Sequence, residues 1–305
     1  MNSMNYYLFK AFLIFVSLPF LISQRIPQAK YLPLIPMYQD SLFSGPKTVG
    51  KLENKAIDEA SGLVASQKHP GILYSHNDSG GDPHVFLLDT LGKDRGKIIL
   101  DGVRNRDWED IAVGPGPQKD VSYIYVGEIG DNNAVYPEIQ IHRFPEPKGI
   151  DKTHKVQPEI LTLVYPDGPR DAETLMVDPI THDIFILSKR DSANVLYRTT
   201  QESFGKKGKV ELEKVMSLDF TMSVAGDISA DGTKILIKNY LAVFYWERNP
   251  GESIPDALMR NPVILPYKPE PQGEAIAFHP NGQTYFTLSE KRFQIEPVLY
   301  RYDKK

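Results

Sequence analysis

One short pattern occurs five times in this 305-residue sequence: an acidic residue followed directly by a run of small and apolar residues. The copies are EASGLV at 59–64, EDIAV at 109–113, ETLMV at 173–177, DISAD at 227–231 and EAIAF at 274–278. Their acids are 50, 64, 54 and 47 residues apart. A repeat of this length predicts an architecture in which each unit packs against its neighbours, such as a solenoid or a propeller.

The residues between these copies predict β-strands. Runs such as ILYSHND (72–78), HVFLLD (84–89) and GKIIL (96–100) are rich in Val, Ile, Leu and Tyr and are separated by Gly, Pro, Asn and Asp. Four such strands fit most repeats, which is the pattern of propeller blades. No long amphipathic helix competes with this interpretation.

The two ends of the sequence indicate how the ring closes. Only three strands fit after Glu274, whereas GPKTVGKLE (45–53) precedes the first repeat without a blade of its own. We therefore predict an all-β, five-bladed β-propeller closed by this N-terminal strand, which joins the last blade. A six-bladed propeller is the alternative, because the 64-residue second repeat has room for an extra hairpin.

An apolar run at residues 11–23 follows Lys10 and predicts a signal peptide at 1–23. A linker at 24–40 and a single propeller domain at 41–305 would follow, and the protein would be exported to the periplasm or the cell exterior. The alternative is an uncleaved N-terminal anchor, which would be the protein's only contact with a membrane.

Composition excludes several classes of function. A net charge of −4 and a pI near 6.0 provide no basic excess for nucleic-acid phosphates. The absence of cysteine excludes disulfides, thiolate metal sites and cysteine nucleophiles. We expect a monomer that binds a small anionic substrate or another small ligand, and no nucleic acid.

The repeated acids predict a metal centre. In a propeller the first strand of each blade lines the central channel, and residues two apart share one side of a strand. The side chains should therefore form two layers. The layer inside the channel consists of Ser61, Glu109, Glu173, Asp227 and Glu274. The second layer, nearer the mouth, consists of Glu59, Asp107 and Asp171.

Converging carboxylates repel each other unless they are protonated, paired with cations or bound to a metal. Calcium suits such a ring because it accepts about six to eight oxygen ligands in flexible geometry. The alternative is that basic side chains neutralise the ring without any metal.

Blade four is ambiguous: if the turn at 230–232 matches the one at 280–282, Val224 faces the channel and Asp227 points aside.

The second strand of each blade returns to the same mouth and ends in polar residues. We predict Asp78, Glu128, Lys189 and Arg190 from this group as catalytic, because acids that hold a metal beside cations that hold oxyanions suit phosphate chemistry. The alternative is that these residues only form solvent-exposed turns. The sequence contains no G-x-S-x-G, H-E-x-x-H or P-loop motif.

Six motifs of this chain resemble those of exported bacterial β-propeller proteins that are compared with phytase-like or esterase-like propellers: EASGL, HNDSGG, DWEDIAVGP, VGEIGDN, YPDGPRDAE and GDISADG. The resemblance covers about residues 55–290. It implies the propeller fold and is weak for activity.

A more distant resemblance is to the calcium-activated nucleotidases (apyrases), five-bladed enzymes with a central calcium on Ser and Glu residues of the inner strands. By position in the blades it implies Ser61, Glu109, Glu173 and Glu274 as calcium ligands. Blade four departs from the family pattern, since Val224 or Asp227 stands where the family has Ser. The family's nucleotide-holding insertions are also missing, so a nucleotide substrate is not implied.

Three functional hypotheses follow. The first is a calcium-dependent hydrolase of a phosphate ester or anhydride. The second is a binding or scaffold propeller with a purely structural calcium. The third is a lactonase or esterase, since propellers with an axial calcium also perform that class of reaction.

Overall fold

Five sheets, antiparallel except for two parallel strands at outer edges, make up the part of the protein that the structure describes, and each runs from a central channel to the surface. A computed structural model describes residues 42–305, and the predicted signal peptide and linker lie outside them. The first strand of the chain, β1 (Lys47–Lys51), belongs to the last sheet.

The strands of each blade are given from the channel outward. Blade 1 contains β2 (Ala60–Ala65), β3 (Ile72–Asn77), β4 (His84–Asp89), β5 (Asp94–Leu100) and, at its outer edge, β9 (Lys152–Val156). Blade 2 contains β6 (Trp108–Pro115), β7 (Ser122–Glu128), β8 (Ile139–Pro145), β10 (Glu159–Val164) and β14 (Val210–Glu211). Blade 3 contains β11 (Ala172–Val177), β12 (Asp183–Ser188), β13 (Val195–Thr200) and β15 (Glu213–Ser217). Blade 4 contains β16 (Ser223–Ile228), β17 (Lys234–Asn239), β18 (Val243–Glu247) and β19 (Val263–Leu265). Blade 5 contains β20 (Ala275–Phe278), β21 (Thr284–Leu288), β22 (Val298–Asp303) and β1. A 3₁₀ turn (Gln201–Gly205) and one short helix, α1 (Ile254–Leu258), lie between strands.

The N-terminal strand closes the ring as the sequence predicted. β1 pairs antiparallel with β22, with Lys47 opposite Arg301. Just before it, Phe43 inserts between blades 4 and 5, where its ring meets Tyr245 and Tyr285 edge-on at centroid distances of 6.0 and 5.1 Å. The last blade therefore joins the two ends of the described chain.

Apolar side chains pack between each pair of neighbouring blades. Each of the five interfaces has its own buried cluster, represented by Tyr74 with Val126 (blades 1 and 2), Tyr125 with Ile186 (2 and 3), Leu187 with Ile237 (3 and 4), Leu236 with Ile276 (4 and 5) and Ala277 with Leu63 (5 and 1). Five interfaces between five sheets complete a five-bladed ring. The six-bladed alternative is therefore wrong.

The long second repeat supplies an edge strand in place of a sixth blade. β9 leaves blade 2 and pairs in parallel with β5 of blade 1, with Gly96 opposite Lys152. Gly96 has a φ of +105°, and a side chain there would collide with the Lys152 backbone. β14 crosses in the same way from blade 3 to β10 of blade 2. These crossovers cover sheet edges that would otherwise expose unpaired backbone groups.

Bulges at the mouth end of the inner strands direct side chains into the channel. The pairing register skips one residue within β6, β11 and β16, and the skipped residues are Glu109, Glu173 and Val224. A bulge of this kind re-aims one side chain while the rest of the strand stays paired. Val224 is therefore the blade-4 counterpart of the two glutamates.

One buried aspartate connects three blades inside the channel. Asp110 of β6 accepts hydrogen bonds from the backbone N–H groups of Leu175 in blade 3 (2.9 Å) and Gly226 in blade 4 (3.2 Å), as well as from Ile111 next to it. Complete burial raises the pKa of this carboxyl group well above its usual range, although the three N–H donors oppose the rise.

We predict that Asp110→Ala lowers the free energy of unfolding by about 2–5 kcal/mol, because it leaves two buried N–H groups without an acceptor. Urea denaturation of the variant and the parent protein measures this loss. Asp101→Ala, which truncates an exposed aspartate in a turn, is the matched control and should change stability by less than about 0.5 kcal/mol. Equal effects of the two substitutions would contradict a connecting role for Asp110.

Candidate metal centre at the channel mouth

Three glutamates from three blades meet at the mouth of the channel. Glu109, Glu173 and Glu274 are each no more than 3% exposed. Carboxylate oxygens of Glu109 and Glu173 form a group with Asp171 in which all ligand atoms lie within 4.8 Å of one another. Lys189 contacts Glu173, and its Nζ lies 3.7 Å from Oε1 of Glu274. The structure thus brings together the three glutamates that the repeat singled out.

The side of the ring formed by blades 3 and 5 carries its own cation. The Lys189 ammonium lies between Glu173 and Glu274, and these two carboxylates raise the pKa of the lysine although burial opposes the rise. The Tyr240 hydroxyl donates a hydrogen bond to Oε1 of Glu274, and Gln272 Nε2 donates to Oε2 at 3.2 Å. Lys189 therefore compensates one of the two negative charges of Glu173 and Glu274, and burial still raises the pKa of Glu173 well above its usual range.

The side formed by blades 1 and 2 consists mainly of acids. Asp78 follows β3, Asp107 precedes β6, and both lie with Glu109 in a second group whose ligand atoms are all within 4.8 Å of one another. Burial and the neighbouring Asp107 raise the pKa of Asp78 to about 6. Burial and the neighbouring Asp171 likewise raise the pKa of Asp107 to about 6, against the influence of Arg106.

Glu109 belongs to both acidic groups. Burial raises its pKa well above the usual range, and Glu173, Asp78 and Asp107 add to the rise, while Lys189 opposes it. A nearby cation stabilises the ionised form of a carboxyl group in such a position.

The backbone around the acids fits an oxygen-liganded cation. A side chain at Gly130 would collide with Oε1 of Glu109 and with the carboxyl group of Asp107, so only glycine lets the chain pass this close. The next residue, Asp131, donates its backbone N–H to Oδ1 of Asp171 at 2.9 Å. Carboxylate oxygens without sulfur or imidazole ligands suit a hard cation such as calcium and not zinc. Asp78, Asp107 and Glu109 would hold it, with Asp171 beside them.

Two further predicted residues lie close to the site with their polar groups engaged differently. The Ser61 hydroxyl donates to the backbone carbonyl of Glu109 at 2.6 Å, so it joins blades 1 and 2. Glu59 is exposed and touches the site through its backbone carbonyl, which accepts the N–H of Asp78 at 2.8 Å. Their roles as a ligand and as part of the second layer stay predictions.

The prediction that Asp227 joins the ring needs correction. Its carboxylate accepts the backbone N–H of Phe278 at 2.7 Å, and it lines a small cavity at the opposite end of the inner strands with Gln67 and His279. The reason is the register: Val224 fills the bulge position, and Asp227 lies three positions further along the strand. The second register that the sequence allowed, set by the turn at 230–232, is the one observed.

The four residues predicted as catalytic occupy different environments. Asp78 belongs to the acidic group and Lys189 to the ring itself. Arg190, whose side chain is 46% exposed, contacts Oδ2 of Asp171 at 2.6 Å through Nε. Glu128 ends β7 and is buried, with its carboxylate 3.7 Å from Arg106 and 3.8 Å from His142, and it adds to the raised pKa of Asp107. The structure thus places three of the four in contact with the ring or its acids, while Glu128 pairs with basic groups beside them.

Sequence reasoning missed Tyr240, and two other polar residues near the ends of second strands, His76 and Lys238, are fully buried. Tyr240 directly follows β17, the same position in its blade as the polar turn residues of the other blades, and that position was its one sequence signal. His76 is fully buried edge-on against Trp108 at 5.7 Å, and burial lowers its pKa to about 4. Lys238 is also fully buried, with its ammonium 4.6 Å from the Tyr267 ring centre, and burial lowers its pKa to about 8.

Comparison with known proteins adds a likeness of fold. The sequence matches no protein-family model and no curated protein. Among solved structures, it is similar to that of regucalcin from Agrobacterium tumefaciens, described as a calcium-binding protein, with 11% identity and a TM-score of 0.47. The match covers 86% of this chain and 94% of that chain. The site is inferred from the positions of this chain's own acidic side chains. Within residues 42–305, no helix has the length and apolar character needed to cross a bilayer.

The raised pKa values of Asp78 and Asp107 predict how stability depends on pH. The folded state holds protons on these carboxyls up to about pH 6, whereas the unfolded chain loses them near pH 4. Their contribution to stability is therefore present below pH 4 and is lost as pH rises to 6 in a chelator. Calcium should offset this loss, because it stabilises the ionised form.

Thermal unfolding at pH 4, 5, 6 and 7, with EDTA or with calcium, measures this effect. The double variant Asp78→Asn/Asp107→Asn is the control, since it removes both titrating groups and should unfold with the same pH dependence under either condition. A parent protein whose pH dependence is the same with and without calcium would contradict a cation at these acids.

Proposed function

We propose that the channel mouth binds calcium through Asp78, Asp107 and Glu109 and that the protein hydrolyses a phosphate ester or anhydride there. The observation that carries the proposal is a group of three acids whose ligand atoms lie within 4.8 Å of one another, on the side of the ring that Lys189 does not neutralise. The motif resemblance to phytase-like and nucleotidase propellers supports the same class of reaction.

A bound calcium would supply Lewis-acid activation of a phosphoryl oxygen or a water molecule. In the hydrolysis, the water oxygen forms a bond to phosphorus, the bond between phosphorus and the leaving oxygen breaks, and the leaving group takes up a proton. Asp78 is partly exposed, so the carboxylate oxygen that does not hold the ion can accept the proton of the attacking water.

Two cations of the chain favour an anionic substrate at this mouth. Lys189 keeps a positive charge within the ring, and Arg190 extends from Asp171 towards solvent. Guanidinium and ammonium groups near a reacting phosphoryl group stabilise the charge that develops on its oxygens.

The proposal includes export. The apolar run at 11–23 behind Lys10 supports a signal peptide. Calcium sites of modest affinity are typical of proteins outside the cytoplasm. The described residues place no further constraint on location.

We predict that Glu109→Gln weakens calcium binding by about 10–100-fold, because the remaining acids hold the ion with one charge fewer. Isothermal titration calorimetry of the chelator-treated protein measures the change. Asp227→Asn is the matched control: it also neutralises a buried channel acid, but it lies at the far end of the strands and should leave the affinity within about twofold. Equal losses in both variants would place the ion elsewhere.

Activity is tested by release of p-nitrophenol from its phosphate ester, of phosphate from ADP and of acid from a simple carboxylic ester, each with calcium and with EDTA. Calcium-dependent turnover of a phosphate compound supports the proposal. Turnover of the carboxylic ester alone would favour the lactonase or esterase hypothesis.

The scaffold function is a second candidate, and the position of Lys189 favours it. The lysine joins Glu173 of blade 3 to Glu274 of blade 5 across the mouth. This contact stabilises the ring whether or not the protein catalyses a reaction. A calcium ion beside it would then only stiffen the axis.

Lys189→Met separates these two functions. In EDTA we expect the variant to unfold about 5–10 °C below the parent protein, since the substitution leaves two buried carboxylates uncompensated. Calcium should restore more of the unfolding temperature in the variant than in the parent. If the protein is a scaffold, calcium restores the unfolding temperature of the variant, and the parent protein hydrolyses no substrate. If the protein is a hydrolase, the parent protein shows calcium-dependent turnover, and the variant loses it.

A further inference from the structure

A polar cavity of about 210 Å³ opens on the mouth face between blades 2 and 3, beside the acidic cluster. Loops that end at the mouth supply its walls, and its polar lining consists of Asp131, Asn132, Arg170, Asp171, Arg190 and Asp191. Asp171 belongs both to this wall and to the group with Glu109 and Glu173. A ligand in the cavity is therefore separated from the metal centre by a single carboxylate.

The two arginines of the cavity are held in place before any ligand binds. Arg170 donates from NH1 to both oxygens of Asp191 at 3.0 Å, and its NH2 lies 2.9 Å from Asp167. Arg190 is fixed between Asp171 and Asn132. Guanidinium groups with such fixed geometry bind oxyanions at a reduced entropic cost.

The lining does not suit a nucleobase. Among its described residues only Ala134 and Pro169 are apolar, and none is aromatic. The Tyr165 and Tyr197 rings have Arg170 over their faces at 5.8 and 5.2 Å. Tyr136, whose backbone N–H binds Asp131, has Arg106 over its face at 4.2 Å. Base recognition in an open site usually needs a free ring face for stacking. The volume is also below the roughly 300–1,000 Å³ of ordinary small-molecule pockets.

Alternating acids and bases suit a compact ligand with several hydroxyl groups. Asp131 and Asp191 can accept hydrogen bonds from hydroxyls, the Asn132 amide can donate and accept, and Arg190 can pair with an oxyanion. We propose that this cavity binds the sugar or polyol part of a small phosphorylated substrate, and that it thereby selects sugar or polyol phosphates over nucleotides. This inference rests on the proposed hydrolysis at the neighbouring metal centre.

The experiment compares kcat/KM for three substrates in the presence of calcium: a hexose monophosphate, ADP and p-nitrophenyl phosphate. We expect the hexose monophosphate to exceed ADP by at least about tenfold, which corresponds to about 1.4 kcal/mol. Asn132→Trp places a bulky ring at the exposed wall of the cavity and removes the contact of Asn132 with Arg190, so it should lower kcat/KM for the hexose monophosphate at least about tenfold more than kcat/KM for p-nitrophenyl phosphate. Asn133→Trp is the control, since Asn133 is equally exposed and outside the lining, and it should change neither value.

The outcomes separate the inference from the function on which it rests. If p-nitrophenyl phosphate is hydrolysed with calcium but ADP is preferred, or Asn132→Trp affects all substrates equally, the inference is overturned and the hydrolase proposal stands. If no phosphate compound is hydrolysed, the hydrolase proposal fails. The inference about the cavity is then tested by whether a hexose monophosphate binds to it. A hexose monophosphate that raises the unfolding temperature of the calcium-loaded parent protein and of Asn133→Trp, but not of Asn132→Trp, supports the cavity as its site, and no rise in the parent overturns it.

Discussion

Burial of several carboxylates at one point of the channel is the constraint on which the rest of this structure depends. Like charges separated by a few ångströms in a medium of low dielectric repel strongly, so the folded state must neutralise them. The chain does this unequally. Lys189 pairs with Glu173 and Glu274, and Tyr240 and Gln272 donate hydrogen bonds to Glu274, whereas Asp78, Asp107 and Glu109 remain as an acidic group. The inequality makes the second group the best place for a cation.

This site exists only because the ring is closed. Its acids come from strands and loops of blades 1, 2, 3 and 5, and none of these blades could assemble the group alone. The devices that hold the blades together are therefore also devices that hold the site: the β1–β22 closure, the apolar clusters between blades, the crossover strands β9 and β14, and the Asp110 carboxyl that joins three inner strands. Stability and cation binding should be linked, because the ion binds only the folded arrangement.

The repeat carried much of this information. The repeated acids predicted the meeting of Glu109, Glu173 and Glu274, since a propeller leaves one place for the start of each inner strand. The strands counted at the two ends of the sequence predicted five blades and the N-terminal closing strand, with six blades as the alternative. Asp227 was misplaced because an acid in the fourth repeat was aligned with the other acids, while the bulge at Val224 sets the actual register. A shift of one bulge changes which residues face the channel, and short strands do not encode it locally.

By itself, the sequence determined the fold class, the closure and the identity of the axial glutamates, because hydrophobic period and turn residues specify strands and their repetition specifies a ring. Only the tertiary structure decided how the charges are shared. It placed Lys189 between two glutamates, put Tyr240 on Glu274, buried His76 against Trp108 and Lys238 against the Gly273 carbonyl, and grouped Asp78 with Asp107 and Glu109. The physical reason is that a few ångströms between side chains from distant repeats decide which charges pair, and strand patterns contain no such distances.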